Sequence, residues 1–226
     1  MKRHMQFSLV AFLCLVCPLA SRAADYEVKS VDSLPEGLPA AFAEALSTKG
    51  VSVEGAGGVI SQIWLGKSLP AKKGFSPSFS IKYPFSSGQF VGVLKVVQKK
   101  EYTDFRGQEL APGLYTLRYG LQPQDGNHLG TSVVRDFLLA LPIGQDKSPK
   151  PLEDLDELFA QSSKSAGTTH PAIFAILGLK ESPAKPALEY NEDRDYWMLN
   201  TSIEINSDGK PVPFPFQMVV VGHAEG

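Results

Sequence analysis

The chain has 226 residues, with 22 basic and 24 acidic side chains, a net charge of −2 and only two cysteines. That length suffices to bury one sizeable core, or two small ones. Lys2, Arg3 and Arg22 lie in the first 23 positions, which leaves 19 basic against 24 acidic residues beyond them; with no basic stripe to neutralise a phosphate backbone, nucleic acid is not an expected partner.

Lys2, Arg3 and His4 open the chain, the apolar run "MQFSLVAFLCLVCPLA" follows, and "SRAA" supplies small residues where a signal peptidase cuts. Residues 1–23 therefore read as a removed signal peptide, and the run is too short for a membrane anchor. Both cysteines, Cys14 and Cys17, fall inside it, preceded by Leu13 and Val16 rather than by the small residue of a lipidation site. The mature chain from Ala24 then has no disulfide, thiolate metal site or cysteine nucleophile. No later apolar stretch approaches spanning length. The expected location is secreted or periplasmic.

In chain order, "YEVKSV" (26–31) alternates weakly, as a first strand would. "LPAAFAEAL" (38–46) spaces Leu38, Phe42 and Leu46 along one helical face. "VSVEGAGGVISQIWL" predicts a strand, a glycine turn and a second strand. Residues 66–88, rich in Pro, Gly and Ser, predict a long connection with one short strand near Phe79–Tyr83. "QFVGVLKVVQKKEY" is β-branched, with Gly92 marking a bulge or a close approach. Pro112-Gly113 suits a type II turn. The strand after it turns Tyr115, Leu117, Tyr119 and Leu121 to one side and Leu114, Thr116 and Arg118 to the other.

"VVRDFLLALPI" (133–143) is apolar on both faces from Phe137, as in a strand covered twice. A second helix is predicted over 150–167, with Leu152, Leu155, Leu158 and Phe159 as its stripe. Its carboxylates Glu153, Asp154, Asp156 and Glu157 fan out around the axis and read as a solvated face rather than a metal cluster. "NEDRDYW" reads as a charged turn, with sugar binding beside Tyr196 and Trp197 as its functional alternative. The closing hairpin is the clearest element. Trp197, Leu199, Thr201, Ile203 and Ile205 share one face, Asp208-Gly209 turns the chain, and Val212, Phe214, Phe216, Met218 and Val220 return. Pro213 and Pro215 between them cannot donate to a ladder, which predicts an edge strand or a bulge.

Strands broken by two short helices predict a mainly β fold, an antiparallel β-sandwich of immunoglobulin-like or Greek-key type. The mature chain, 24–226, reads as one such domain, with a looser N-terminal part at 24–88 as a variant of that reading.

The candidate site centres on "LQPQDGNHLGTS" (121–132). Asp125, Asn127 and His128 cluster there, in a stretch whose Pro, Gly, Asn and Asp also suit a plain turn. His170, in "GTTHP", sits in a second loop flanked by threonine and proline. If the two loops meet, His128, His170 and Asp125 could hold zinc; calcium at Asp125 and Asn127 lacks the later acidic ligands. No metal spacing supports either ion, so no cofactor is expected. A hydrolytic version takes Ser132 or Ser165 as nucleophile and His170 or His128 as base, without a G-x-S-x-G elbow. Arg135 and Asp136 read as an ion pair fixing the loop.

The block "PGLYTLRYGLQPQDGNHLGTSVVRDFLL", with "SAGTTHP" and the closing "VVVGHAE", resembles a group of secreted bacterial proteins of uncharacterised function. The resemblance implies export and a β-rich fold and supplies no activity. The expected function is an exported, non-catalytic binding or structural module with an envelope or extracellular ligand. The alternative is a small metal-dependent or hydrolytic enzyme at Asp125, His128 and His170.

Overall fold

The computed structural model describes residues 26–98, 102–123 and 134–224. The segment read above as a signal peptide, and the residues Asp125, Asn127, His128 and Ser132, lie outside them. Eleven strands join in one sheet: β1 (Glu27–Val31), β2 (Leu46–Gly55), β3 (Gly58–Gly66), β4 (Leu69–Pro70), β5 (Phe90–Val96), β6 (Gly113–Leu121), β7 (Asp136–Pro142), β8 (Ile173–Leu177), β9 (Ala187–Asn191), β10 (Tyr196–Ser207) and β11 (Lys210–Val221). The order is β1-β2-β3-β5-β6-β7-β8-β11-β10-β4, with β9 on the outer edge of β10. All pairings are antiparallel except the two-residue β4–β10 contact.

The two ends of this sheet return to each other. β1 comes alongside β9, and Tyr26 meets the Trp197 ring edge-on at 5.6 Å. Past β3 the chain crosses directly to pair β4 with β10 at Ile205 and Asn206. The expected sandwich is thus corrected to a nearly closed, barrel-like single sheet. Alternating strands satisfy both architectures, because each needs one apolar face per strand. What separates them is contact between residues far apart in sequence.

The inner face carries the main core, with Val53, Ile63, Leu94, Leu117, Tyr119, Leu138, Phe174, Leu199, Ile203, Phe216 and Met218 among its members. The predicted faces of β6, β10 and β11 are the observed ones. Gly92 sits at a register shift in β5, and a Cβ there would lie 2.4 Å from the Trp64 carbonyl oxygen. Asp208 and Gly209 take φ of 52° and 80° at the hairpin tip. The type II turn at Pro112-Gly113 is absent: Gly113 already pairs with Val96 as the first residue of β6.

No strand forms at Phe79–Tyr83. That segment instead inserts side chains into the core, where Tyr83 lies 5.6 Å from Phe216 and Phe85 lies 5.7 Å from Tyr119. The Tyr83 hydroxyl donates to the Leu177 carbonyl at 2.7 Å and accepts from the Gln217 N–H at 2.9 Å. It bridges β8 and β11 where they pair through only Leu177–Gln217 and Ile176–Met218. Above that point, among the described residues, β11 has no strand on its β8 side. Pro211, Pro213 and Pro215 occupy this free stretch, as the missing donors require.

Two helices cover the outside. α1 (Ala40–Ala45) lays Phe42 against Phe90 over Trp64 and Val93. α2 (Leu155–Ala166) is capped by Asp154, which accepts from the N–H groups of Asp156 and Glu157. It packs Leu158 and Phe159 on Leu139 and Leu141 of β7, which is therefore covered on both faces as expected. Leu155, assigned to the stripe, points to solvent at 43% exposure, because the helix begins there and not at 150.

Candidate functional site

His170 stands at the rim of a slot on the outer face of β6 and β7. Gly120, Leu121, Phe137, Leu139, Phe159, Pro171 and Ile173 form its apolar walls, and Arg106, Gln122 and His170 supply polar groups. Its volume is about 280 Å³. Pro123, which follows β6, also lines the slot; Asp125, Asn127 and His128 lie outside the described residues.

What positions His170 is a buried carboxylate. Asp104 is fully buried and accepts from the backbone N–H groups of Arg106, Gln108 and Ile173 and from the Gln108 side-chain amide. Gln108 Nε2 also donates to the Pro171 carbonyl at 3.0 Å, and Thr168 Oγ1 donates to Gln108 Oε1. Thr168 in turn accepts from the His170 N–H at 3.1 Å. The 104–108 turn therefore clamps the 168–171 segment, and Arg106 and His170 both line the slot. Asp104, Arg106 and Gln108 were not singled out in the sequence; an Asp-x-x-Gly turn in "TDFRGQ" was the only available signal.

Other candidates have structural roles. Ser165 Oγ donates to the Ala140 carbonyl at 2.8 Å. Arg135 donates from Nε and Nη2 to the Gln122 carbonyl, at 3.0 and 2.9 Å. Asp136 turns inward, accepting from Lys82 N–H, Tyr83 N–H and the Tyr119 hydroxyl. The expected Arg135–Asp136 pairing is replaced by these separate partners, because adjacent strand residues point to opposite faces. Burial raises the Asp136 carboxyl above its ordinary range, outweighing its three donors. His223 lies against Gly107, and Ala224 N–H donates to the Phe105 carbonyl. Arg194 and Asp195 do form a local turn, closed by Arg194 N–H to Asn191 Oδ1 and by the Tyr190 hydroxyl to Asp195. Among the described residues, no three His, Cys, Asp or Glu side chains gather as a metal site.

A larger cavity lies elsewhere, in the wall of the sheet. It measures about 820 Å³ and opens between β1–β3 and β10–β11. Its origin is a mismatch of strand lengths. β9 pairs with β10 only from Tyr196 to Asn200 and stops after Pro186, while β4 resumes pairing at Ile205. The outer edge of β10 is unpaired between them, over Thr201, Ser202, Ile203 and Glu204. On the facing side β2 carries a wide bulge, Ser47–Lys49, between its pairings at Leu46 and Gly50. Val51, Ile63, Leu65, Ile203 and Val212 floor the cleft and continue into the core, and hydroxyls with Lys49, Lys67, Asp32 and Glu204 rim it. It is an apolar-floored cleft with a polar mouth.

The comparisons with known proteins found no matching family, no similar curated protein and no similar solved structure. Among the described residues, no helix is long and apolar enough to cross a membrane.

Proposed function

We propose that the protein is an exported, non-catalytic binding module that takes an amphipathic small molecule in the lateral cleft of its barrel. The observation that supports this most directly is the cleft itself: a wall opening whose floor is contiguous with the core and whose rim offers hydroxyls and a free strand edge. Ligand sites are commonly concave and mostly apolar, with a few polar groups fixing orientation. Export is supported by the basic opening, apolar run and small residues of positions 1–23.

A polarity-sensitive naphthalene sulfonate dye reports on the cleft. Thr48, exposed on the β2 bulge, lines it without being part of the core. Thr48→Trp is expected to weaken dye binding at least tenfold while leaving the melting temperature unchanged. Unchanged dye affinity would remove the cleft as the site. Intact-mass analysis of the exported protein should give a chain beginning at Ala24, and retention of Met1–Ala23 would refute export by this route.

A further inference from the structure

The slot beside His170 differs from the lateral cleft in place and in chemistry. It lies on the outer side of β6 and β7, beneath Phe159 of α2. Its body is apolar: Leu121, Phe137, Leu139, Phe159 and Ile173 present carbon, and Gly120 keeps the floor flat. Leu139 covers that glycine so closely that a Cβ would lie 2.4 Å from its Cδ1.

The polar groups among the described lining residues are Arg106, Gln122 and His170. Arg106 is exposed, and among the described residues its guanidinium has no side-chain partner. His170 is exposed beside it, its backbone held by Thr168 while its ring is free of any described partner. Among the described residues, no acidic side chain lines the slot. The nearest carboxylate in the supporting turn, Asp104, already accepts four hydrogen bonds and faces into the clamp. Asp136 faces the barrel interior. Arg135 adds a further guanidinium on the carbonyl of Gln122, itself a lining residue.

An apolar body with a cationic, fork-shaped donor at its mouth complements one chemistry. A guanidinium presents paired N–H groups that match a carboxylate bidentately. A ligand with an apolar body would bury it against Phe137, Leu139, Phe159 and Ile173. The volume of about 280 Å³ accommodates a ring or a short branched chain.

We propose that this slot binds small monocarboxylates with an aromatic or branched apolar body, the carboxylate on Arg106 and His170. The site is independent of the lateral cleft and does not rest on its assignment.

Phenylacetate is the probe, phenylacetamide its neutral isostere, and phenethylamine the cationic control of similar size. Titrations of the isotope-labelled protein, followed by backbone amide shifts, read affinity and location together. Phenylacetate should shift Gly120, Leu121 and Ile173, with affinity at least tenfold above that of the amide and of the amine. Arg106→Gln should abolish that preference while leaving the melting temperature unchanged, since the guanidinium supports no contact of the fold. His170→Gln should reduce the preference by a smaller factor. Equal affinity for acid and amide would overturn the proposal. So would a preference that survives Arg106→Gln, or shifts confined to the lateral cleft.

Discussion

Two buried charged residues on neighbouring strands meet burial in opposite ways. Arg118, outward on β6 and 1% exposed, has every donor engaged: Nε and Nη2 on Asp146, Nη1 on the carbonyls of Gly88 and Lys150, and Nη2 again on Ser148. Thr116 completes the Asp146 shell at 2.6 Å. The guanidinium thus stitches the 144–150 loop to the sheet, with no donor left unmet. Asp136, inward on β7, has three donors and no cation, and its carboxyl is raised by desolvation. A carboxyl raised in the folded state holds its proton to higher pH there than in the unfolded chain. Its stabilising contribution is therefore complete below the ordinary carboxylate range and is lost as pH rises through the raised value. Denaturant melts from about pH 4 to about pH 7 should then show Asp136→Asn gaining stability relative to the wild type as pH rises. A gap that stays constant or moves the other way would mean the carboxylate is as well solvated inside as outside.

At the scale of elements, legibility followed locality. The β10–β11 hairpin could be read whole because alternation, the Asp-Gly tip and the prolines all act within its own residues. β8 was missed: "IFAIL" is apolar throughout, since Phe174 and Ile176 face the interior while Ile173 and Ala175 face outer clusters. β9 was missed for the opposite reason, being short, largely exposed and preceded by Pro183 and Pro186. In β11 the prolines act as a guard. They leave the free edge at 211–215 without a regular set of donors, which discourages pairing with another chain. A Pro211→Thr, Pro213→Thr, Pro215→Thr triple variant should keep the hairpin, whose pairing runs through Val212, Phe214 and Phe216, yet self-associate at concentrations where the wild type is monodisperse. Light scattering that stays the same for both would mean the edge is protected by something other than missing N–H groups.

For the whole molecule, the inner and outer faces were legible and the closure was not. Nothing local distinguishes a strand of a sandwich from a strand of a barrel. The decisive contacts join Tyr26 to Trp197 and Leu69 to Ile205, each across more than half the chain. Of the candidate residues, His170 lines a slot in the described structure, while Asp125, Asn127 and His128 lie outside the described residues. The supports of His170, Asp104 and Gln108, are ordinary loop residues until the fold brings "GTTHP" against them. The lateral cleft left no trace in the sequence, because it arises where β9 ends and β2 bulges rather than from any residue type.

One rung of the wall is not backbone. At the β8–β11 junction the Tyr83 phenol stands between the Leu177 carbonyl and the Gln217 N–H, so protection of one main-chain proton depends on a side chain 134 residues earlier. Tyr83→Phe keeps the ring among Phe85, Phe214 and Phe216 but deletes the oxygen. In deuterated water the Gln217 amide should then exchange faster than in the wild type, while Leu199 and Leu138 keep their slow rates. The barrel would begin to breathe at a single stave.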